Sequence, residues 1–367
     1  MKELRKYPVI IFFAALLYVI SIADLFSPVR EQSDLENRKL RQFPAFSMNE
    51  LVNNEYTPKI ERFTEDQFIM RDRWISLKSV GESLLGKKEN NGVVYGKDGY
   101  LFTKFLTADY EQYQKNLDAL ARFIERHPER HILFMPVPTA PGVMTDKVLP
   151  GSPVIDTDGV LALAEEKIPA DSLIDVRPLL EERTDEYIYY RTDHHWTTRG
   201  AYSGYAALMD RCSREARPMS DFTFEEVSPF YGTHYSKSKN FNAVPDTLSY
   251  VVTDATMDLK GEEVSIYDTE KLGTRDKYAM FLWGNNDLIT VHGSGEGSIL
   301  VIKDSYANCL IPYLAEDFER IDVADLRYLT TGIDTLMAQN GYDHVVFLYN
   351  CESILTDNNI PKINFFF

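Results

Sequence analysis

Asp193 and His195 stand two residues apart in Arg191-Thr-Asp-His-His-Trp-Thr197. This spacing puts both side chains on one side of an extended chain and on roughly opposite faces of a helix. A carboxylate beside an imidazole can hold the Nδ1 tautomer and stabilise the imidazolium formed in general base catalysis. The pair therefore asks for a loop or strand end, and for a nucleophile from elsewhere; His194 would point the other way. Ser305 follows the β-rich run Ile299–Lys303 and opens the helical stretch Tyr306–Leu310. Such a strand-to-helix turn exposes a hydroxyl and offers backbone N–H groups to an oxyanion. The same serine fits an N-cap equally well, with Asp304 as a competing cap. Gly284-Asn285-Asn286 follows the apolar stretch Tyr278–Trp283. The amide of Asn285, with Asn308 behind it, suits an oxyanion donor as well as a turn residue. Cys309 is a rival nucleophile without a motif of its own. The three cysteines, Cys212, Cys309 and Cys351, have neither disulfide nor zinc spacing and read as small buried apolar residues.

These side chains need elements to hold them. Tyr187–Tyr190 reads as a strand, and Thr197-Thr198 can cap a helix with the apolar stripe Ala201, Tyr205 and Leu208. His131–Val137, Ser298–Lys303, Arg320–Val323 and His344–Leu348 read as strands with helical stretches between them, such as Leu117, Leu120, Phe123 and Ile124. The expected fold class is therefore α/β, a mostly parallel sheet with helices on both faces. Short β-like runs and frequent turn residues predict a β-rich insertion at about 213–297. Asn91-Gly92 and Asp98-Gly99 flank the halves of a hairpin, Val93–Tyr95 and Tyr100–Phe102.

The first residues point to export. Lys2, Arg5 and Lys6 precede an uncharged run from Tyr7 to Ala23, a basic n-region ahead of a segment suited to a bilayer. Ser21-Ile22-Ala23 offers a signal peptidase small residues, while Leu25 and Phe26 extend the apolar run past Asp24 and favour a membrane anchor. The expected organisation is a cytoplasmic n-region at 1–6 and a transmembrane anchor or signal peptide at 7–26. A juxtamembrane stalk at 27–57 and a catalytic domain at 58–367 follow. A formal net charge of -17 argues against a nucleic-acid partner and suits a neutral or polyhydroxylated ligand.

The segments Glu36-Asn-Arg38, Gly96-Lys-Asp-Gly-Tyr-Leu-Phe102, Asp193-His-His-Trp196, Gly284-Asn285 and Val301-Ile-Lys-Asp-Ser-Tyr-Ala-Asn308 resemble the DHHW family. That family is similar to the alginate O-acetylation proteins with an SGNH-hydrolase-like domain. The resemblance spans nearly all of the chain beyond the apolar segment. It implies that Ser305 is the nucleophile, His195 the base and Asp193 its orienter, in a permuted order with the Asp-x-His pair ahead of the serine. It also implies an extracytoplasmic O-acyltransferase acting on a cell-surface or exported polysaccharide, without cofactor or metal, with a membrane-bound O-acyltransferase supplying the acyl group. His194 inside the motif departs from the alginate proteins. A carbohydrate acetyl esterase would use the same triad, and a non-catalytic glycan-binding scaffold would keep the fold without turnover. Asp-His-His also marks a metal-dependent phosphoesterase family, but His127, His131, His234, His292 and His344 are scattered without ligand spacing.

Overall fold

Alternation of buried side chains between two faces organises the sheet on which Ser305 depends. In the computed structural model of the chain, residues 7–33, 38–240 and 242–364 are described. The basic residues Lys2, Arg5 and Lys6, and Glu36 and Asn37 of the stalk motif, lie outside them. The chain divides into two compact units, Met1–Lys87 with Lys239–Phe241, and Lys88–Ser238 with Asn242–Phe367. The helices Tyr56–Gln67 and Arg71–Leu84, grouped from residue 58 with the catalytic domain in the sequence reading, fall in the first unit.

The first unit opens with helix α1 (Pro8–Leu25). Its mean hydropathy is 2.3 and none of it is buried within the structure, as suits a single-pass anchor or a signal sequence.

The second unit is built on seven strands. They are β1 (Ile132–Val137), β2 (Thr256–Leu259), β3 (Glu262–Ser265), β4 (Leu288–His292), β5 (Ser298–Lys303), β6 (Arg320–Ala324) and β7 (His344–Asn350). Their spatial order is β3-β2-β4-β6-β5-β7-β1. From β6 to β1 the neighbours are parallel, and the other three pairings are antiparallel. The sheet is thus mixed rather than mostly parallel. The difference arises within 213–297, where β2, β3 and β4 extend the sheet edge. β2 and β3 are joined through Lys260 and Gly261, both at positive φ (54° and 87°). Such a two-residue turn makes an antiparallel hairpin, whereas a parallel neighbour needs a long crossover. The strands Phe224–Phe230 and Asp246–Val251 of this region form a separate antiparallel pair.

Along β5, Ile299 and Val301 join one apolar cluster and Leu300 and Ile302 the other, the two-residue period of a strand buried on both faces. One cluster holds Ala201, Tyr205 and Leu208 of the helix Thr198–Arg211. The other holds the buried stripes of the helices Tyr110–Arg126, Thr157–Lys167 and Ile333–Asn340. Ser305 lies just beyond the carboxyl end of β5, where open α/β sheets place their ligands.

Candidate active site

The segment before the Asp-His pair is extended but not a regular strand. A single antiparallel bridge joins Tyr189 to Trp196, and Thr197 N–H donates to the Ile188 carbonyl at 2.9 Å. The chain therefore reverses between these residues and presents Asp193 to His195 at the turn. Asp246, buried in the strand Asp246–Val251, braces this reversal. Its carboxylate accepts the N–H groups of Arg191 and Thr192, each at 2.8 Å, and the Tyr187 hydroxyl. Thr197 then caps the following helix by accepting Gly200 N–H at 3.1 Å, as its sequence position predicts.

Asp193 and His195 are 3 % and 4 % exposed. Asp193 Oδ1 lies 2.5 Å from His195 Nδ1 and also accepts His195 N–H at 3.0 Å. Its Oδ2 accepts Thr233 N–H at 2.7 Å and the Thr233 hydroxyl at 3.1 Å. Burial alone would raise the Asp193 pKa. The neighbouring His194 and His195 imidazoles and the hydrogen bonds to His195 and Thr233 outweigh burial and hold the carboxyl well below the usual carboxylate range. On the other edge of the ring, His195 Nε2 lies 2.8 Å from Ser305 Oγ. Tyr278 stacks on the imidazole, with ring centroids 3.8 Å apart and planes 10° apart, and its hydroxyl donates to the Ser305 carbonyl at 3.0 Å.

The turn after β5 decides between the two readings of Ser305. Asp304 caps the 3-10 turn Ser305–Cys309 by accepting Tyr306 N–H at 2.8 Å. Its other oxygen accepts Asn350 N–H at 2.8 Å and the Asn350 side-chain amide at 2.7 Å. The cap is thus Asp304, and the Ser305 hydroxyl is left to His195. The 3-10 turn stops at Cys309 and an α-turn restarts at Ile311 with Pro312 near its head, where a missing N–H costs least.

Trp196, fully buried, donates its indole N–H to the Tyr306 carbonyl at 2.9 Å, tying the Asp193–His195 segment to the Ser305 turn. Trp196→Phe would leave that buried carbonyl without its donor, at a cost of about 1–3 kcal/mol. Urea unfolding should show a loss of this size together with reduced ester turnover. An unchanged unfolding curve would remove the tie from the argument.

Asn285 sits beyond Gly284, which has φ +88°. Its Oδ1 accepts Lys303 Nζ at 2.7 Å and the Asn308 amide at 3.4 Å. Asn308 is itself buried and its amide also approaches the Gly284 carbonyl at 3.5 Å. An ammonium at one end of the Asn285 amide settles which end is oxygen, so its NH₂ group is the end that neither Lys303 nor Asn308 engages. Burial brings the Lys303 pKa down to about 8. Cys309 is fully buried, its thiol pushed up to about 12 by burial, and the Tyr278 hydroxyl, the Trp196 side chain and the Tyr306 carbonyl approach its sulfur. Such a thiol is a poor nucleophile.

Asp193, His194 and His195 offer ligand atoms within 4.8 Å of one another. Their near atoms are spent otherwise, however. Asp193 Oδ1 is hydrogen-bonded to His195 Nδ1, and His194 Nδ1 lies 2.7 Å from Thr233 Oγ1. A cation ligated through Asp193 Oδ1, His195 Nδ1 or His194 Nδ1 would displace these bonds.

Several residues around the site escape the sequence reading. Thr233 comes from 40 residues downstream of Asp193 with Gly232 just before it, and a Cβ on Gly232 would lie 2.2 Å from Asp193 Cβ and Oδ2. Nothing in local sequence links them to Asp193. The Asp304 cap was visible as a residue type but not separable from Ser305.

The DHHW protein family model matches residues 172–324, a span that holds Asp193, His195, Asn285 and Ser305. A DHHW family protein from Eubacterium siraeum is similar in structure at a TM-score of 0.65 and 25 % identity, covering 76 % of this chain and 97 % of its own. PatB1 of Bacillus cereus is similar at a TM-score of 0.61 and 21 % identity, covering 74 % and 99 %. The O-acetyltransferase domain of Pseudomonas putida AlgJ has a TM-score of 0.49 and 17 % identity, covering 74 % and 98 %. The search of curated proteins returns no match. The DHHW resemblance read from the motifs is borne out by the family match and the E. siraeum structure.

Proposed function

We propose that this chain is an extracytoplasmic serine O-acyltransferase that moves an acyl group, acetyl in the simplest case, onto a hydroxyl of a cell-surface or exported polysaccharide. The observation that carries the reading is the continuous chain Asp193–His195–Ser305, at 2.5 Å and 2.8 Å between reacting atoms. These separations lie in the range over which a proton can be handed from hydroxyl to imidazole.

Ser305 Oγ attacks the carbonyl carbon of the acyl donor while its proton passes to His195 Nε2. The tetrahedral oxyanion collapses, the donor leaves with that proton, and an ester remains on Ser305. An acceptor hydroxyl then gives its proton to His195 and attacks the ester, and Ser305 recovers the proton as the acylated sugar departs. Asp193 stays ionised throughout and compensates the imidazolium. In this reading the Asn285 NH₂ is an oxyanion donor, held in orientation by Lys303 and Asn308. Asn285→Ala should lower kcat on an activated acetyl ester by roughly 10²–10³-fold, with little change in KM. An effect confined to KM would count against the role.

The apolar α1 supports a membrane-attached chain, and the basic Lys2, Arg5 and Lys6 ahead of it favour an extracytoplasmic second unit. We propose as partner a membrane-bound O-acyltransferase that delivers the acyl group across the bilayer. The test is incubation of the detergent-solubilised full chain with p-nitrophenyl acetate and oligosaccharides, followed by mass spectrometry. Acetylated sugar is the expected product. Free acetate alone, at every acceptor concentration, would make the chain an acetyl esterase with the same triad.

A further inference from the structure

The histidine between Asp193 and His195 takes no part in the triad, yet its surroundings are specific. His194 packs beside His195 with ring centroids 3.8 Å apart. Its Nδ1 lies 2.7 Å from Thr233 Oγ1, and that hydroxyl donates its only proton to Asp193 Oδ2 at 3.1 Å. Thr233 Oγ1 can therefore only accept from His194, so Nδ1 carries the hydrogen and Nε2 a bare lone pair. Burial first and the adjacent His195 second hold the ring down to about 4, which leaves it uncharged at neutral pH. Among the described residues no hydrogen bond engages Nε2, and a third of the side chain (33 %) is exposed.

The groups around it have the character of a sugar subsite. His234 packs 6.1 Å away, ring centroid to ring centroid, and is 5 % exposed, with Nε2 held by Thr103 Oγ1 at 3.1 Å and Nδ1 unpartnered. Glu352 accepts the Thr139 hydroxyl at 3.1 Å and interacts electrostatically with His194. Among the titratable neighbours of His194, Asp193 and Glu352 favour its charged form while His195 and Lys237 oppose it, in a chain of formal charge -17. An anionic sugar would meet repulsion here, whereas hydroxyls would meet acceptors.

We infer that His194 Nε2 is the hydrogen-bond acceptor of a subsite for a neutral, polyhydroxylated acceptor, binding a hydroxyl next to the one that His195 deprotonates. The inference rests on the acyltransfer reading for its role in turnover, and it has a binding arm that does not. In the first arm, the detergent-solubilised full chain is acylated with p-nitrophenyl acetate and resolved in water with cellopentaose, chitopentaose or a pentameric uronate. In His194→Ala the ratio of transfer to hydrolysis should fall at least tenfold. His194→Gln, whose terminal amide oxygen can take the place of Nε2, should restore most of it. A transfer-to-hydrolysis ratio equal to that of the unsubstituted chain overturns the inference. In the second arm, calorimetry with the same three probes compares Ser305→Ala with Ser305→Ala/His194→Ala. Binding of a neutral pentamer that disappears in the double variant supports the subsite even if no acyl-enzyme forms, in which case the acyltransfer reading alone fails. Equal binding in both variants, preference for the uronate, or binding of no probe overturns it.

Discussion

Ser305→Ala should lower acetyl-ester turnover by about 10³-fold or more, the usual cost of deleting a triad nucleophile, while the thermal unfolding midpoint stays within a few degrees. Among the described residues the hydroxyl is engaged by His195 alone, and the turn around it is secured by other groups: the Asp304 cap, the Asn350 bonds to that cap, and the Trp196 tie to Tyr306. Removing one oxygen from such a turn takes away chemistry and little stability. Covalent labelling sharpens the test. A sulfonyl fluoride should add one mass equivalent to the unsubstituted chain, on the peptide that contains Ser305, and none to the variant. Retention of more than a tenth of the turnover would mean that another group attacks the ester. In producing cells, polymer acetylation that survives Ser305→Ala would point to a scaffold rather than a catalyst.

Asp193→Asn should also be costly, at about 10⁴-fold in kcat, for a reason visible in the hydrogen bonding. Thr233 presents both an N–H and an O–H to Oδ2, so the amide oxygen of the substituted side chain is drawn to that side. Its NH₂ then faces His195 Nδ1 and demands an acceptor there. The imidazole must carry its hydrogen on Nε2, which points at Ser305 and can no longer take the serine proton. Asp193 also links the site to stability. Its folded pKa lies below the ordinary carboxylate value, so the unfolded state binds the proton more readily. The stabilisation is complete above the unfolded value and is lost as pH falls through the folded one. The unsubstituted chain should therefore lose stability in strong acid more steeply than Asp193→Asn, in urea titrations at a series of pH values. Parallel pH curves would show that the carboxylate is not held in this way.

Much of the local structure was legible because it depends on near neighbours. The strands at β1, β5, β6 and β7 were visible as apolar runs, and the helix after Thr197 as a cap followed by the stripe Ala201, Tyr205 and Leu208. The antiparallel pairing of Val93–Tyr95 was legible from its turn residues, with the second strand one residue later than expected, at Leu101–Thr103. The direction of the remaining strands was not legible. β2, β3 and β4 carry the short runs and turns expected of an insertion, and nothing local says that they pair with the edge of the main sheet. Tyr187–Tyr190 has strand composition, yet its carbonyls at Tyr187 and Ile188 go to the Thr197 hydroxyl and N–H and it forms a single bridge to Trp196, while the Asp246 carboxylate holds the two residues that follow. That pairing is a matter of distant partners.

What the sequence by itself determined is the inventory: a charged–imidazole pair spaced for an extended segment, a serine after an apolar strand, and an apolar first helix. Chain spacing and side-chain period are properties of a few consecutive residues, so they survive without the fold. Only the tertiary structure could bring Ser305 Oγ to His195 Nε2 across 110 residues of chain. It also gave the cap to Asp304 rather than Ser305, and Thr233 to Asp193 and His194 together. Each depends on which groups compete for one hydrogen bond in a buried space. That competition exists only once the sheet has closed and water has left.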